Sequence, residues 1–486
     1  MRFRREDYSI ENCSMKLSFY GAARRVTGSM FLLELDDDYR ILIDCGSSLN
    51  DTKERKTVKE YGIFPFDASM VNVVFLTHAH IDHSGQIPNL YQAGFEGQVL
   101  CTNPTIDLSE LLLYDAANLN TRIAKGIEKS HKKSKKWKSI ETQSLYFDKQ
   151  VKNAIGNFVP LAYNQRFRFK DDGYVTFIQA GHLLGAAHIL IEIKEDGRWK
   201  RIGFSGDLGR RNFTLLPDPM PMPEVDYLIM ESTYGSRNHK DSGEPELILK
   251  EIIEEACVEK AGRLIIPCFS VGRTQCLLYT LNKLYEKYNI KPIKVFTDSP
   301  LAKSSTKVYE KFRKYLNKES KDFYEDTESL FDFANLEYLE TTAESQAIST
   351  HAEPCIIISS SGMIKGGRIE HHIEKNIENP YATILLVGFA TEDSIGGKLM
   401  SGELKNIVIR NKKHEVNAKI RKIDIFSGHG GLDDLIYFAK NQSNGKLKKV
   451  FLVHGDLDAM INFRQILLED GFSDIEIPEE NQTYEL

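Results

Sequence analysis

The sequence predicts an α/β protein of two or three structural units. Three observations carry this. The chain has 486 residues, against about 150 per domain. Short, β-branched apolar runs alternate with stretches of helical spacing. Past Glu231 the alternation becomes that of strands separated by helices, the pattern of a parallel sheet.

In chain order, 16–20 and 30–35 read as strands, Asp36-Asp37-Asp38 as a hairpin tip and 40–44 as the return strand. The run 71–76 (VNVVFL) is apolar almost throughout, which suits a strand buried on both faces. A helix is expected around 108–118, then strands at 175–180, 189–193, 202–205 and 227–230. Beyond Glu231, strands are expected at 264–266, 293–296, 355–358 and 383–387, with a helix over 272–285. The run 449–453 (KVFLV) is another buried-type strand.

Composition excludes several classes. Hydrophobic residues at 41% and charged residues at 27% fit a globular chain rather than a disordered one. No uncharged apolar run nears the ~20 residues of a bilayer span, so no membrane is expected as a partner. Met1-Arg2-Phe3-Arg4-Arg5 leads into no apolar core, so no secretory leader is expected. The seven cysteines form no CxxC pair, which fits reduced, buried thiols in a cytoplasmic protein. The net charge of −6 argues against a wholly basic surface. One segment departs from it: Arg122 to Lys138 carries eight Lys or Arg against one Glu. It reads either as a solvated face or as a phosphate-attracting rim.

The sharpest signal is Thr77-His78-Ala79-His80-Ile81-Asp82-His83, directly after the buried strand. Two His two apart in extended chain point the same way. Asp82 and His83 follow in a turn and can face a second ion. Chance would produce three His at this spacing roughly 0.01 times in such a chain. More ligands are needed, and the chain offers them where strands end: His182 after Ala180-Gly181, Asp207 after Gly206, and His454 after Val453. Singly each is weak, and His182 reads equally as a capping residue. Together they match a dinuclear site bridged by one carboxylate.

HxHxDH, a later Gly-His, Ser-Gly-Asp and a late Val-His-Gly resemble the metallo-β-lactamase superfamily, over almost the whole chain. Met230-Glu231-Ser232-Thr233-Tyr234-Gly235 and Phe426-Ser427-Gly428-His429-Gly430 resemble the motifs that flank the insertion of its β-CASP nucleases. Within the interval, 267–273 (PCFSVGR) and 360–368 (SSGMIKGGR) also resemble that subgroup. Its bacterial and archaeal RNA-processing nucleases and the mRNA 3′-end endonuclease are the nearest likenesses.

The fold so implied is an αβ/βα sandwich with an inserted α/β domain: 1–233 and 421–486 for the sandwich, 234–420 for the insertion. The resemblance implies two zinc ions. His78, His80, His182 and Asp207 would hold one; Asp82, His83, Asp207 and His454 would hold the other. Asp44 would orient a ligand His. Asp82 is expected in catalysis as well as ligation, and His429, paired with Glu231, would protonate the leaving group. Arg273, Ser361, Gly362 and Arg368 are expected to bind substrate phosphates, although a plain turn or a surface ion pair also fits them. His371 and His372 are expected on the surface or lining the cleft.

The activity implied is hydrolysis of single-stranded RNA to 5′-phosphate and 3′-hydroxyl ends, endonucleolytic, with 5′→3′ exonuclease action compatible with the same resemblance. No flanking RNA-binding module is expected, so substrate choice falls to the cleft or to a partner. A homodimer or an RNA-processing partner protein is compatible with this. Three rivals are a small-molecule metallohydrolase, a DNA nuclease of the same superfamily and a catalytically dead RNA-binding scaffold. The insertion would cover a small-substrate pocket. In the DNA branch the His454 position is typically apolar. A dead scaffold has no need of every ligand.

Overall fold

The computed structural model describes residues 15–36, 39–48, 63–130, 145–195, 197–240, 243–288, 290–364, 366–388, 394–402, 404–442 and 445–486. Among the described residues the strands form two seven-stranded sheets, one six-stranded sheet and a small two-stranded ribbon.

The first sheet runs, edge to edge, Gln482–Glu485, Lys16–Phe19, Phe31–Asp36, Tyr39–Ile43, Val73–Phe75, Gln98–Thr102 and Phe158–Leu161. The second runs Ile475–Glu476, Lys449–Val453, Tyr227–Glu231, Arg198–Phe204, Ala187–Glu195, Gly173–Gln179 and Arg166–Lys170. Side chains of both sheets share one core, with Phe19 5.1 Å from Phe451 and Phe31 6.2 Å from Phe204 between ring centroids. The second sheet buries its other face, through Leu228, Met230 and Leu452, against the helices Leu432–Lys440 and Leu457–Glu469. This is the expected αβ/βα sandwich, in which sheets hide one face against each other and the other under helices.

Topology matters most at one edge. Tyr39–Ile43, Val73–Phe75 and Gln98–Thr102 run parallel, as do Arg198–Phe204, Tyr227–Glu231 and Lys449–Val453. The strands that lead to Asp44, His78, Asp207, Glu231 and His454 therefore release their chains at one rim, where ligands bind in open α/β sheets.

The third sheet is parallel, in the order Leu336–Tyr338, Lys294–Asp298, Cys355–Ser359, Arg263–Pro267, Ala382–Val387 and Lys419–Ile423. Its helices cover both faces, as parallel sheets require. One of its cores does not stop at the insertion: Leu264, Leu277 and Tyr309 belong to the same buried cluster as Ala79, Leu183 and Leu215 of the sandwich.

The helix expected around 108–118 is longer, Asn103–Ser130. It takes in the start of the basic run because nothing there, Gly126 apart, interrupts a helix. Residues 131–138 of that run, and Asp37-Asp38 of the hairpin tip, lie outside the described residues. The cysteines at 45, 101, 257, 268, 276 and 355 are free and buried.

A polar cluster pins the third sheet internally. Asp298, fully buried at a strand end, accepts hydrogen bonds from Arg368 Nη1 (2.7 Å) and Ser345 Oγ (2.5 Å) and pairs with His372 Nε2 (2.6 Å). Burial raises the Asp298 carboxyl pKa, but these partners outweigh it and hold the value below the ordinary one. Asp298→Ala would take the carboxylate from the partly buried Arg368 guanidinium and the shared acceptor from buried Ser345 and His372, and is expected to cost about 3 kcal/mol, read by denaturant unfolding. Because the folded pKa is depressed, the carboxylate's contribution is present above the unfolded value and fades as pH falls through the folded one. The stability advantage of wild type over Asp298→Asn should accordingly shrink on acidification. An unchanged difference down to acid unfolding would refute it.

Candidate metal centre

Val73–Phe75 is central in its sheet, and its chain emerges through Leu76 into Thr77. Asp44, at the end of the neighbouring strand, captures that exit. It accepts from Thr77 N–H (2.7 Å) and Thr77 Oγ1–H (2.8 Å), and pairs with His83 Nδ1 at 2.7 Å. Asp44 and His454 both hold positive φ, 57° and 48°. Such conformations are uncommon outside glycine and gather at functional sites.

Four ligand atoms converge first. His78 Nε2 is 3.1 Å from His80 Nδ1 and 3.5 Å from Asp207 Oδ2. His182 Nε2 is 3.3 Å from that same His80 nitrogen and 3.4 Å from Asp207 Oδ2. A tetrahedron with its corners ~2.0–2.1 Å from the centre, the zinc–imidazole distance, has edges of about 3.3–3.4 Å. The four separations, 3.1–3.5 Å, match the spacing of neighbouring ligands around such a cation, and all four atoms lie within 4.8 Å of one another.

A second set adjoins it. His454 Nε2 is 3.5 Å from Asp82 Oδ2, and His83 Nε2 is 3.2 Å from Asp207 Oδ1. His454 Nε2 and Asp207 Oδ1 are buried atoms without a hydrogen-bond partner among the described residues. Orphans of this kind are costly unless a ligand satisfies them. Asp207 shares its two oxygens between the sets.

The electrostatics suit cation binding. Burial first, and then neighbouring imidazoles, pull His78 and His182 well below the ordinary value and His80 to about 4. These rings are therefore neutral near pH 7 and offer lone pairs. Thr77 Oγ1 lies 3.1 Å from His78 Nδ1; its proton goes to Asp44, so it accepts the ring N–H and leaves Nε2 free. His83 differs. Burial lowers it, but Asp207 and Asp44 outweigh burial and hold it well above the ordinary value. A cation at Nε2 would compete with that proton. Burial opposes ionisation of Asp82, yet His454 and His83 bring its carboxyl down to about 2.

Beside the ligand sets, His429 Nδ1 is 3.1 Å from Glu231 Oε1 and 3.9 Å from Asp207 Oδ2. Glu231 is fully buried at its strand end and also accepts from Leu208 N–H at 2.6 Å. Burial lowers the His429 pKa, but Glu231 and Asp207 raise it further, to about 9.

The metallo-β-lactamase superfamily model matches residues 23–241, the β-CASP domain model 274–399, and the model of the Zn-dependent metallo-hydrolase RNA specificity domain 413–478. A ribonuclease of Thermus thermophilus is 30% identical over 457 residues, 94% of this chain and 97% of that protein. The chain belongs to the β-CASP subgroup of the metallo-β-lactamase superfamily. It is a metal-dependent hydrolase. Transcription termination factor FttA of Methanocaldococcus jannaschii is 29% identical over 469 residues, covering 94% of this chain and 69% of the factor. A crystal structure of a protein of unknown function from Enterococcus faecalis shares the fold, with a TM-score of 0.55 at 12% identity over 97% of this chain and all of that one.

Within this β-CASP chain the expected ligand residues and the Glu231–His429 pair meet at one point. The expected substrate residues do not. Gly362 is wedged against Phe269, where a Cβ would come to 3.1 Å from the ring. The Arg273 guanidinium lies 4.8 Å from the centroid of that same ring, with no ion-pair partner among the described residues and burial lowering its pKa. Ser361 opens a tight turn closed by Ile364 N–H. Arg368 points elsewhere. Its nitrogens go to Asp298 and to the carbonyls of Leu339 and Glu340, so the side chain braces the insertion rather than reaching for a phosphate. His372, expected on the surface or lining the cleft, is buried against Asp298. Two threonines inside the quoted motifs were not assigned roles: Thr77, above, and Thr233, whose Oγ1 lies 3.1 Å from His454 Nδ1 and donates to His454 O. Their position directly beside ligands was the available signal.

Asp44→Asn should keep the fold yet lose either the acceptor for Thr77 N–H, at Oδ1, or the one shared by Thr77 Oγ1–H and His83 Nδ1, at Oδ2. Metal affinity is expected to fall about 10–100-fold, the usual worth of a ligand-orienting partner. Titration of metal-stripped protein with Zn2+ measures it, and wild-type affinity would exclude the orienting role.

Proposed function

We propose that the chain is a two-zinc ribonuclease that cleaves RNA to 5′-phosphate and 3′-hydroxyl ends, acting as an endonuclease with 5′→3′ exonuclease action in addition. The observation that carries this is the pair of ligand sets sharing Asp207, with the His429–Glu231 pair at their side. The RNA specificity domain match covers both His429 and His454, and the Thermus thermophilus relative is named a ribonuclease; both favour RNA over a small substrate. The sandwich would comprise 1–233 and 421–486, and the inserted domain 234–420. The strand Lys419–Ile423, which pairs within the third sheet, spans the proposed return.

His78, His80, His182 and Asp207 would hold one ion, and Asp82, His83, Asp207 and His454 the other. Bound there, the ions supply Lewis-acid stabilisation of the phosphate and a water acidified into a nucleophile. The remaining chemistry belongs to the chain. Asp207 holds the two ligand sets in register through its two oxygens. Asp44 takes the His83 Nδ1 proton and directs Nε2 to the site. Glu231 accepts the Nδ1 proton of His429, so Nε2 is the nitrogen that carries a proton to the departing 3′ oxygen. Against burial, Glu231, followed by Asp207, raises the imidazole to about 9 and so favours the charged ring that gives up that proton. Arg273, partly exposed and without a carboxylate partner among the described residues, suits an RNA phosphate.

Chelation should abolish cleavage of a single-stranded RNA, and Zn2+ should restore it. Product mapping should give 5′-phosphate ends, and a circular RNA should be opened. Cleavage after exhaustive metal removal, or a 5′-hydroxyl paired with a 2′,3′-cyclic phosphate, would end this reading; equal cutting of single-stranded DNA would move it to the DNA branch.

His429→Ala should retain its metal and slow cleavage by about 10²–10⁴-fold. A substrate whose 3′ leaving oxygen is replaced by sulfur needs little protonation, so most of that loss should vanish on it. An undiminished defect on the sulfur substrate would remove the acid role.

A further inference from the structure

The chain leaves the sandwich through Tyr234–Lys240 and returns to it through Asp424–Leu432, and these two crossings are tied to each other. Arg237 O accepts from Leu432 N–H at 3.2 Å, and Asn238 Oδ1 accepts from Asp433 N–H at 2.9 Å. Asp424 Oδ2 accepts from Lys240 N–H at 3.1 Å and lies 3.6 Å from Arg237 Nη1. Between these ties stands His239. Its Nε2 lies 2.9 Å from the backbone carbonyl oxygen of His429, its ring packs 4.5 Å from Tyr234, and its Nδ1 is 3.6 Å from Asp424 Oδ2. The side chain is only 4% exposed.

The opposite side of the His429 loop is held as firmly. Gly430 N–H donates to Leu208 O at 2.8 Å, and His429 bridges Gly209, two residues beyond Asp207. Gly428 allows a close approach to His182, where a Cβ would sit 3.0 Å from its carbonyl oxygen. Gly431 does the same toward Asn238, with a Cβ at 2.9 Å from Oδ1 and 3.3 Å from His239 Cδ2. The loop is gripped on one side by the metal-bearing segment and on the other by the exit crossing. Because a carbonyl oxygen can only accept, His239 must carry its proton on Nε2 to make this bond.

We infer that His239 is a positioning residue for His429: its Nε2–H fixes the carbonyl of the loop that aims the proton-donating imidazole, and so ties that aim to the junction of the two domains. This rests on the reading of His429 as the proton donor. A displacement of about 1 Å in a catalytic group costs on the order of 10²-fold, which sets the scale of the effect.

The experiment compares His239→Leu, His239→Asn and His239→Gln on the RNA substrate and on its 3′-sulfur analogue, with bound zinc measured in each. Gln places an amide N–H near the position of Nε2; Asn falls short of it; Leu removes it. The expected result is a fall of about 10²-fold in kcat for Leu, with KM and zinc content unchanged. A comparable fall is expected for Asn, recovery of most of kcat for Gln, and loss of most of the Leu and Asn defects on the sulfur substrate. Wild-type kcat in Leu and Asn, no recovery in Gln, or equal defects on both substrates would overturn the inference. Should Leu fail to fold, Asn against Gln decides it by the same criteria. His429→Ala run in parallel separates the two failures: if it too is equally defective on both substrates, the proton-donor reading is what has failed.

Discussion

Buried in the seam between the two sheets, the Asp207 carboxylate has five imidazoles within reach. His83, His182, His78, His454 and His429 lie 3.2, 3.4, 3.5, 3.6 and 3.9 Å from its oxygens. An isolated carboxylate in such a place would be expelled or neutralised. Here its charge is sustained: burial opposes ionisation, but the surrounding histidines hold it well below the ordinary value. The two ligand sets meet at that one buried negative charge, and it adds to Glu231 in raising the His429 pKa. Four of these rings come from loops far apart in sequence, so the strands beneath must place them correctly before the cluster can exist.

That placement depends on both units. Ala79, lying between His78 and His80, and Leu183, next to His182, are packed into a cluster that includes Leu277 and Tyr309 of the inserted unit. Gly272, at φ +81°, starts the helix Arg273–Lys287 so close to Leu183 that a Cβ would come within 2.8 Å of it. Two metal-site loops therefore rest on the insertion as well as on their own sheets. The crossings at 234–240 and 424–433 add a polar tie behind His429. The insertion acts as a wall of the centre, so a site at a rim is buried from water, and that burial lowers the pKa values of His78, His80 and His182.

Much of this was legible in the chain itself. HxHxDH was interpretable because extended chain sends His78 and His80 to one side and the following turn brings Asp82 and His83 round. His182, Asp207 and His454 were interpretable because each follows an apolar run, and strand ends are where α/β sheets present function. Arg368 and His372 were not. A Gly-rich stretch ending in Arg looks like a phosphate loop, and adjacent His in a helical run look exposed. What decides them is Asp298, 70 residues away from Arg368 in sequence, brought beneath both by a parallel strand.

By itself, then, the sequence determined the class of fold, through hydrophobic period, and offered the candidate ligands, through the spacing of HxHxDH and the His and Asp at strand ends; the two motifs bracketing the insertion were legible through family resemblance. Only the tertiary structure decided which oxygen of Asp207 faces which ring, that Arg368 and His372 turn to Asp298, and that His239 reaches across 190 residues to hold the loop. The physical reason is one of range. Period and turn chemistry act over a few residues, whereas a buried charge is satisfied by whatever partners the packed sheets bring within hydrogen-bond distance, wherever those partners lie along the chain.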